Sequence, residues 1–184
     1  MSGPLLQGLV DTARAVFGAR AASVITHDGE TNELVFTAVS GEGAETLPGQ
    51  RIPATAGISG WVFATGEPIV LEDVTADARF AASFAQSTGY IPKGIMAAPI
   101  LGNDGPIGVI SVLDRPRRVE FSLVEVELLE RFCHLSGLAL MTTQAGPPVG
   151  APVSELATAV AALPARRRAA AERLLDALTG LLES

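Results

Sequence analysis

Cysteine is all but absent from this 184-residue chain, where Cys133 stands alone. One thiol cannot close an internal disulfide, so nothing points to an oxidising compartment and the fold must rest on its core. Histidine is equally scarce, with His27 and His134 as the whole supply. Two imidazoles and one thiol cannot assemble a typical zinc site without recruited carboxylates. Long apolar runs are lacking too, and none approaches the roughly 18 residues that span a bilayer. The opening stretch MSGPLLQGLVDTARAVFG has no basic lead-in and carries Asp11 inside its apolar pattern, unlike a secretory signal. A soluble cytoplasmic protein with no membrane partner is the expectation. Positive charge is in deficit: 13 Lys+Arg against 20 Asp+Glu leave a net −7. That excess lies in residues 1–143, the remainder being neutral. An acidic domain repels phosphate backbones, so nucleic acid is not an expected partner. The short cluster Arg115, Arg117 and Arg118 reads as a solvated approach to a helix.

Catalytic signatures are absent as well. There is no phosphate-cradling glycine-lysine loop, no HExxH and no nucleophile elbow. Glu72 and Asp73 are adjacent, so on a strand they point to opposite faces and do not form an acid/base pair. Cys133, between Phe132 and His134 in a helical stretch, reads as a structural residue.

What is present is a strong pattern of elements. Ile95–Leu101 and Ile107–Leu113 flank Gly102-Asn103-Asp104-Gly105, and Asp-Gly between β-rich apolar runs signals a hairpin. Both arms are near-continuously apolar, which predicts central strands covered on both faces. Upstream, Leu5, Leu6, Leu9, Val10, Ala13, Val16 and Phe17 share one face of a helix over about Pro4–Phe17, with Gly18 as its stop. Ala21–Thr26 and Glu33–Val39 read as strands joined by the turn HDGETN, which leaves His27 exposed. A glycine-rich loop, 41–51, comes next. GISGWVFATGEP at 57–68 reads as a short helix, Ile69–Leu71 as a strand and Asp77–Ala85 as a weak helix. Ser122 with Glu125 forms a capping box, and Phe121 with Val126 a staple across it. The helix so opened carries the stripe Leu128, Leu129, Phe132, Leu135, Ala139 and Leu140, with His134 beside it as a partly buried packing residue. The order predicts an α+β sandwich with a mostly antiparallel sheet.

The prolines and glycines of residues 144–153 break the pattern and read as a linker. Beyond it, residues 154–184 form an alanine-rich helical tail interrupted at Pro164. Leu174, Leu175, Leu178, Leu181 and Leu182 make a narrow apolar stripe on it. Two readings of this tail stay open: a helix folded back on its own domain, or a dimer or partner helix.

Three segments in order, GISGWVFATGEPIVLEDV at 57–74, IMAAPILGNDGPIGVISVLD at 95–114 and FSLVEVELLERF at 121–132, give a chain that resembles a GAF domain. The resemblance covers about residues 4–142 and implies a profilin/PAS-related fold. A central antiparallel sheet would carry the terminal helices on one face, with short helices and loops roofing the other. It implies a sensor domain over residues 1–143 that binds a small molecule or a partner and relays this through the terminal helices to a separate effector. The roof would fall at about 72–92. Phe80, Phe84, Tyr90 and Asp73, with Met96 from the sheet, are the ligand-binding candidates the resemblance implies. Leu5, Leu9, Leu135, Leu174 and Leu178 are the candidates for a homodimer or partner surface. The alternative is a purely structural interaction module with a filled core.

Cyclic-nucleotide-binding members of that family carry a dispersed Asn-Lys…Phe…Asp-Glu signature. The matching positions here are Asp114-Arg115, Phe121, Glu125 and Val126, so the Asn-Lys pair and the last acid are lost. An Arg115–Glu125 ion pair would stand in for them structurally. Members that reduce free methionine sulfoxide need a second, resolving cysteine, which this chain lacks. Haem and bilin are disfavoured for want of a pocket-facing histidine or thiol, and no cofactor is expected.

Overall fold

The computed structural model describes residues 3–87, 89–116 and 123–142. Helix α1 spans Gly3–Phe17, and Leu6, Leu9, Val10, Ala13, Val16 and Phe17 on its inner face are fully buried. Gly18 ends it in the left-handed region at φ 64°, a conformation that glycine adopts without a Cβ penalty. Strands β1 (Ala21–Asp28) and β2 (Glu33–Gly41) form the first hairpin. Its positive φ falls on Asn32, at 55°. Asp28 instead ties the turn from within, accepting the amides of Glu30 and Thr31 at 3.0 and 3.4 Å.

A short strand that the sequence reading did not foresee, β3 (Arg51–Pro53), pairs with β2. Helix α2 (Gly57–Thr65) and strand β4 (Ile69–Leu71) follow. Of the helix expected at 77–85 only the last part forms, within helix α3, Ala82–Ser87, and a 3-10 turn at Val74–Ala76 precedes it. Asp77 is the reason: it accepts from its neighbour two residues on, at Arg79 N and Nε, 2.9 and 2.8 Å. That local bonding competes with helical pairing. Strands β5 (Ile95–Gly102) and β6 (Gly105–Leu113) make the second hairpin, and helix α4 (Leu123–Thr142) closes the described fold.

The six strands run β3-β2-β1-β6-β5-β4, every pairing antiparallel. Pro99 has no N–H to donate, and it lies beyond Ala97, where β4 ceases to flank β5. Alternation along the strands separates two cores. Ala22, Val24, Met96, Ala98, Ile100, Ile110 and Val112 face α1 and α4, where Phe17 and Phe132 meet with ring centroids 6.3 Å apart. Ile25, Leu34, Phe36, Ile95, Ala97 and Val109 face α2 and the segment that follows it. The α+β sandwich with terminal helices on one face is therefore as expected.

Several residues stand elsewhere than expected. Leu9 (0% exposed) and Leu135 (4%) are consumed by the core under α1 and α4, and Leu5 packs half-buried against it. His134 is exposed. His27 is half-buried on β1, its ring 4.5 Å from that of Phe63 on α2. Phe121 and Ser122, with the linker at 144–153 and the tail bearing Leu174 and Leu178, lie outside the described residues.

Candidate functional site

Between the second face of the sheet and its cover lies a cavity of about 400 Å³, a size that suits a small molecule. Its cover is the start of α2, the 3-10 turn, α3 and the loop through Tyr90 and Pro92. Phe80, Phe84 and Tyr90, expected there, all border it. Phe84 stacks over Phe36 of β2, with centroids 5.7 Å apart and planes 20° from parallel. The cover is thus joined to the sheet ring on ring. Val74 N donates to Lys93 O at 2.7 Å and fixes the 3-10 turn.

Two expected residues are not part of this site. Met96, 1% exposed, points to the opposite face and is packed among the α1 and α4 side chains. Residues 95 and 96 necessarily face opposite ways on a strand, and it is Ile95 that borders the cavity. Asp73 is exposed and caps the 3-10 turn, its Oδ1 accepting from the amide and hydroxyl of Thr75 at 3.0 and 2.6 Å.

The sequence reading also overlooked residues that the fold brings to the cavity. Ser23 and Ser111 face each other across β1 and β6 on its floor. Ala56–Ser59, at the start of α2, border it as well, and no side chain caps that helix end. The signal for the serines was a polar residue on each of two largely apolar strand faces, His27 being the other polar residue on that face of β1. Serine's tolerance in any strand made it easy to pass over.

The mouth is held by a polar cluster. The Tyr90 hydroxyl donates to the Asp114 carboxylate. Burial first, and then that carboxylate, push the phenol well above its ordinary pKa. Asp114 also accepts the amides of Lys93 and Gly94 at 2.7 and 2.9 Å. Arg20 lies 5.3 Å from the Tyr90 ring centroid and pairs with Glu42 at 2.9 Å. Outside the mouth, Arg79 sits over the Trp61 ring at 4.4 Å and bonds Asp77, whose pKa this guanidinium draws down to about 2.

The Arg115–Glu125 pair expected from the sequence forms, Nη1 to Oε2 at 3.0 Å, and the same guanidinium reaches Glu72 at 2.9 Å. The side chains of Arg115 and Glu125 are 9% and 11% exposed, so the pair is largely shielded from water. It joins the segment after β4 to the first turns of α4. Cys133 is buried under α4 at 3.5 Å from Ala98 O, and burial raises its thiol pKa well above the ordinary value. Among the described residues, no group of three or more His, Cys, Asp or Glu is placed to hold a metal ion. No helix among them is long and apolar enough to cross a membrane.

A sequence model described as the GAF domain matches residues 3–140. A probable 3′,5′-cyclic phosphodiesterase of Caenorhabditis elegans is 34% identical over 132 residues, 72% of this chain. The chain spans 17% of that relative's length. Among solved structures, the GAF domain of an Acinetobacter phosphoenolpyruvate-protein phosphotransferase superposes with a TM-score of 0.68. It is 17% identical, over 79% of this chain and 85% of that one. A free methionine-R-sulfoxide reductase of Neisseria meningitidis, solved with its substrate, superposes with a TM-score of 0.61. It is 19% identical, over 78% of this chain and 81% of that one.

Proposed function

This chain belongs to the GAF domain family, a small-molecule sensor and signalling domain type, and on that premise we propose that it is a non-catalytic sensor. A small molecule enters the cavity, and the terminal helices on the far face of the sheet pass its presence to a partner or a second copy. The observation that carries this reading is the cavity of about 400 Å³ beneath an aromatic cover. A purely structural module would have filled that space with side chains, since interiors pack to near-crystalline density.

Chemistry of the reductase kind is not supported. The single thiol is buried on the helical side of the sheet, away from the cavity, and burial disfavours its reactive thiolate. Cyclic nucleotides belong among the compounds to test because the worm relative is named a cyclic phosphodiesterase. The uncapped start of α2 would offer amide donors to an acceptor on such a ligand.

The test is thermal-shift screening against cyclic nucleotides, purines, amino acids and haem. A binder at a hundredfold excess over its Kd should raise Tm by roughly 5–10 °C, and Phe84→Ala should weaken it at least tenfold. If no compound raises Tm while the protein shows a concentration-dependent oligomer, the structural module is the correct reading.

A further inference from the structure

The sheet face under the cover is built of large side chains except at its centre. One row across it runs Val39, Ser23, Ser111 and Ala97 by strand register. The neighbouring row carries Phe36, Ile25 and Val109. The small central residues hollow the floor, and two of them are hydroxyl-bearing in the middle of a six-stranded sheet. Ser111 is 4% exposed, and among the described residues its Oγ has no hydrogen-bond partner. A buried hydroxyl left unsatisfied destabilises a fold, and alanine would pack there without that penalty.

Charge at the cavity is already spoken for. Arg51 and Glu42 are the charged residues that border it. Arg51 is bonded to Asp28, Thr31 and Glu33 at 2.8, 3.1 and 3.0 Å, and Glu42 is bonded to Arg20. Four rings stand among the aliphatic side chains of its walls, with Phe36 and Phe84 stacked on each other and Phe80 and Tyr90 also lining it.

From this we propose that Ser111 is a ligand-anchoring residue. Its hydroxyl bonds the polar edge of a flat, uncharged heteroaromatic ring lodged between the sheet floor and the phenylalanine cover, with Ser23 alongside. This rests on the reading of the cavity as a ligand site, and it adds the ligand's class and orientation. A serine kept merely for its small size would make no such discrimination.

The probes are indole and its isostere benzothiophene, which matches its shape but lacks the N–H. Affinities are measured by titration calorimetry on the full chain and on Ser111→Ala, with Ser111→Cys as a second variant of similar volume. Wild type should bind indole about tenfold more tightly than benzothiophene. Ser111→Ala should raise the Tm of the ligand-free protein and bring the ratio to about one by weakening indole alone. Equal binding of both probes to wild type, or an unchanged ratio in both variants, overturns the anchor and leaves the cavity reading standing. A lower ligand-free Tm in Ser111→Ala also overturns it, since the hydroxyl would then already be satisfied. If neither probe binds wild type, the anchor falls, and the thermal-shift screen alone decides the cavity reading.

Discussion

Arg115 is the residue whose removal should be felt most for its size. Among the described residues, its guanidinium pairs with a carboxylate, Glu125, whose side chain is 11% exposed. Breaking a buried pair strands the remaining charge, which outweighs what the pair itself contributes. Arg115→Ala should lower unfolding free energy by about 3 kcal/mol in urea titration, and a second change, Glu125→Gln, should restore part of the loss. A nearby group responds to acid. Folding holds the Asp77 pKa near 2, below its ordinary 3.8, chiefly through the Arg79 hydrogen bond. The ionised carboxylate therefore favours the turn above about pH 4, and that gain is lost as pH falls toward 2. Arg79 lies over Trp61, the sole tryptophan. Its fluorescence should change across that window, and Asp77→Asn should show the acid-form emission at neutral pH.

Helix α2 is anchored by what it leaves out. A Cβ at Gly60 would meet backbone atoms of Ala54 and Thr55 at 2.5 to 3.0 Å. Gly60→Ala should thus force the helix off its seat and cost about 2 kcal/mol. Gly8 on α1 has nothing within 4 Å of the same position. Gly8→Ala should stabilise by up to about 1 kcal/mol through helix propensity alone. Measured side by side by chemical denaturation, the two should move in opposite directions. These elements also show what the sequence could tell. α1, α4 and both hairpins were legible because their apolar periods are long and their boundaries carry glycine, Asp-Gly or, for α4, the Ser122 and Glu125 capping signal. β3 was not, because three residues ending in proline make no period. The segment after β4 was misread because Asp77 and Arg79 bond to each other locally. The resemblance placed three cavity aromatics, Phe80, Phe84 and Tyr90, but the serine floor could not be read: small residues on one strand face mean nothing until β1 and β6 are paired in register.

For the molecule as a whole, the two-core plan decides which side chains are free to act. Leu9 and Leu135 are held inside one chain. Leu9→Ala should lower stability by about 3 kcal/mol with no change in the mass measured by light scattering. If α1 and α4 do pass on a signal, it travels by their outward faces, where Val124 is 60% exposed. One link between the two sides is the guanidinium shared by Glu72 and Glu125. A guest that nudges the outer layer has two choices at that fork. It drags the cation along and leaves the helical prong wanting, or it tears one prong loose. Were the cavity to work as the sensor proposed above, either choice would carry its occupancy to the far side of the slab.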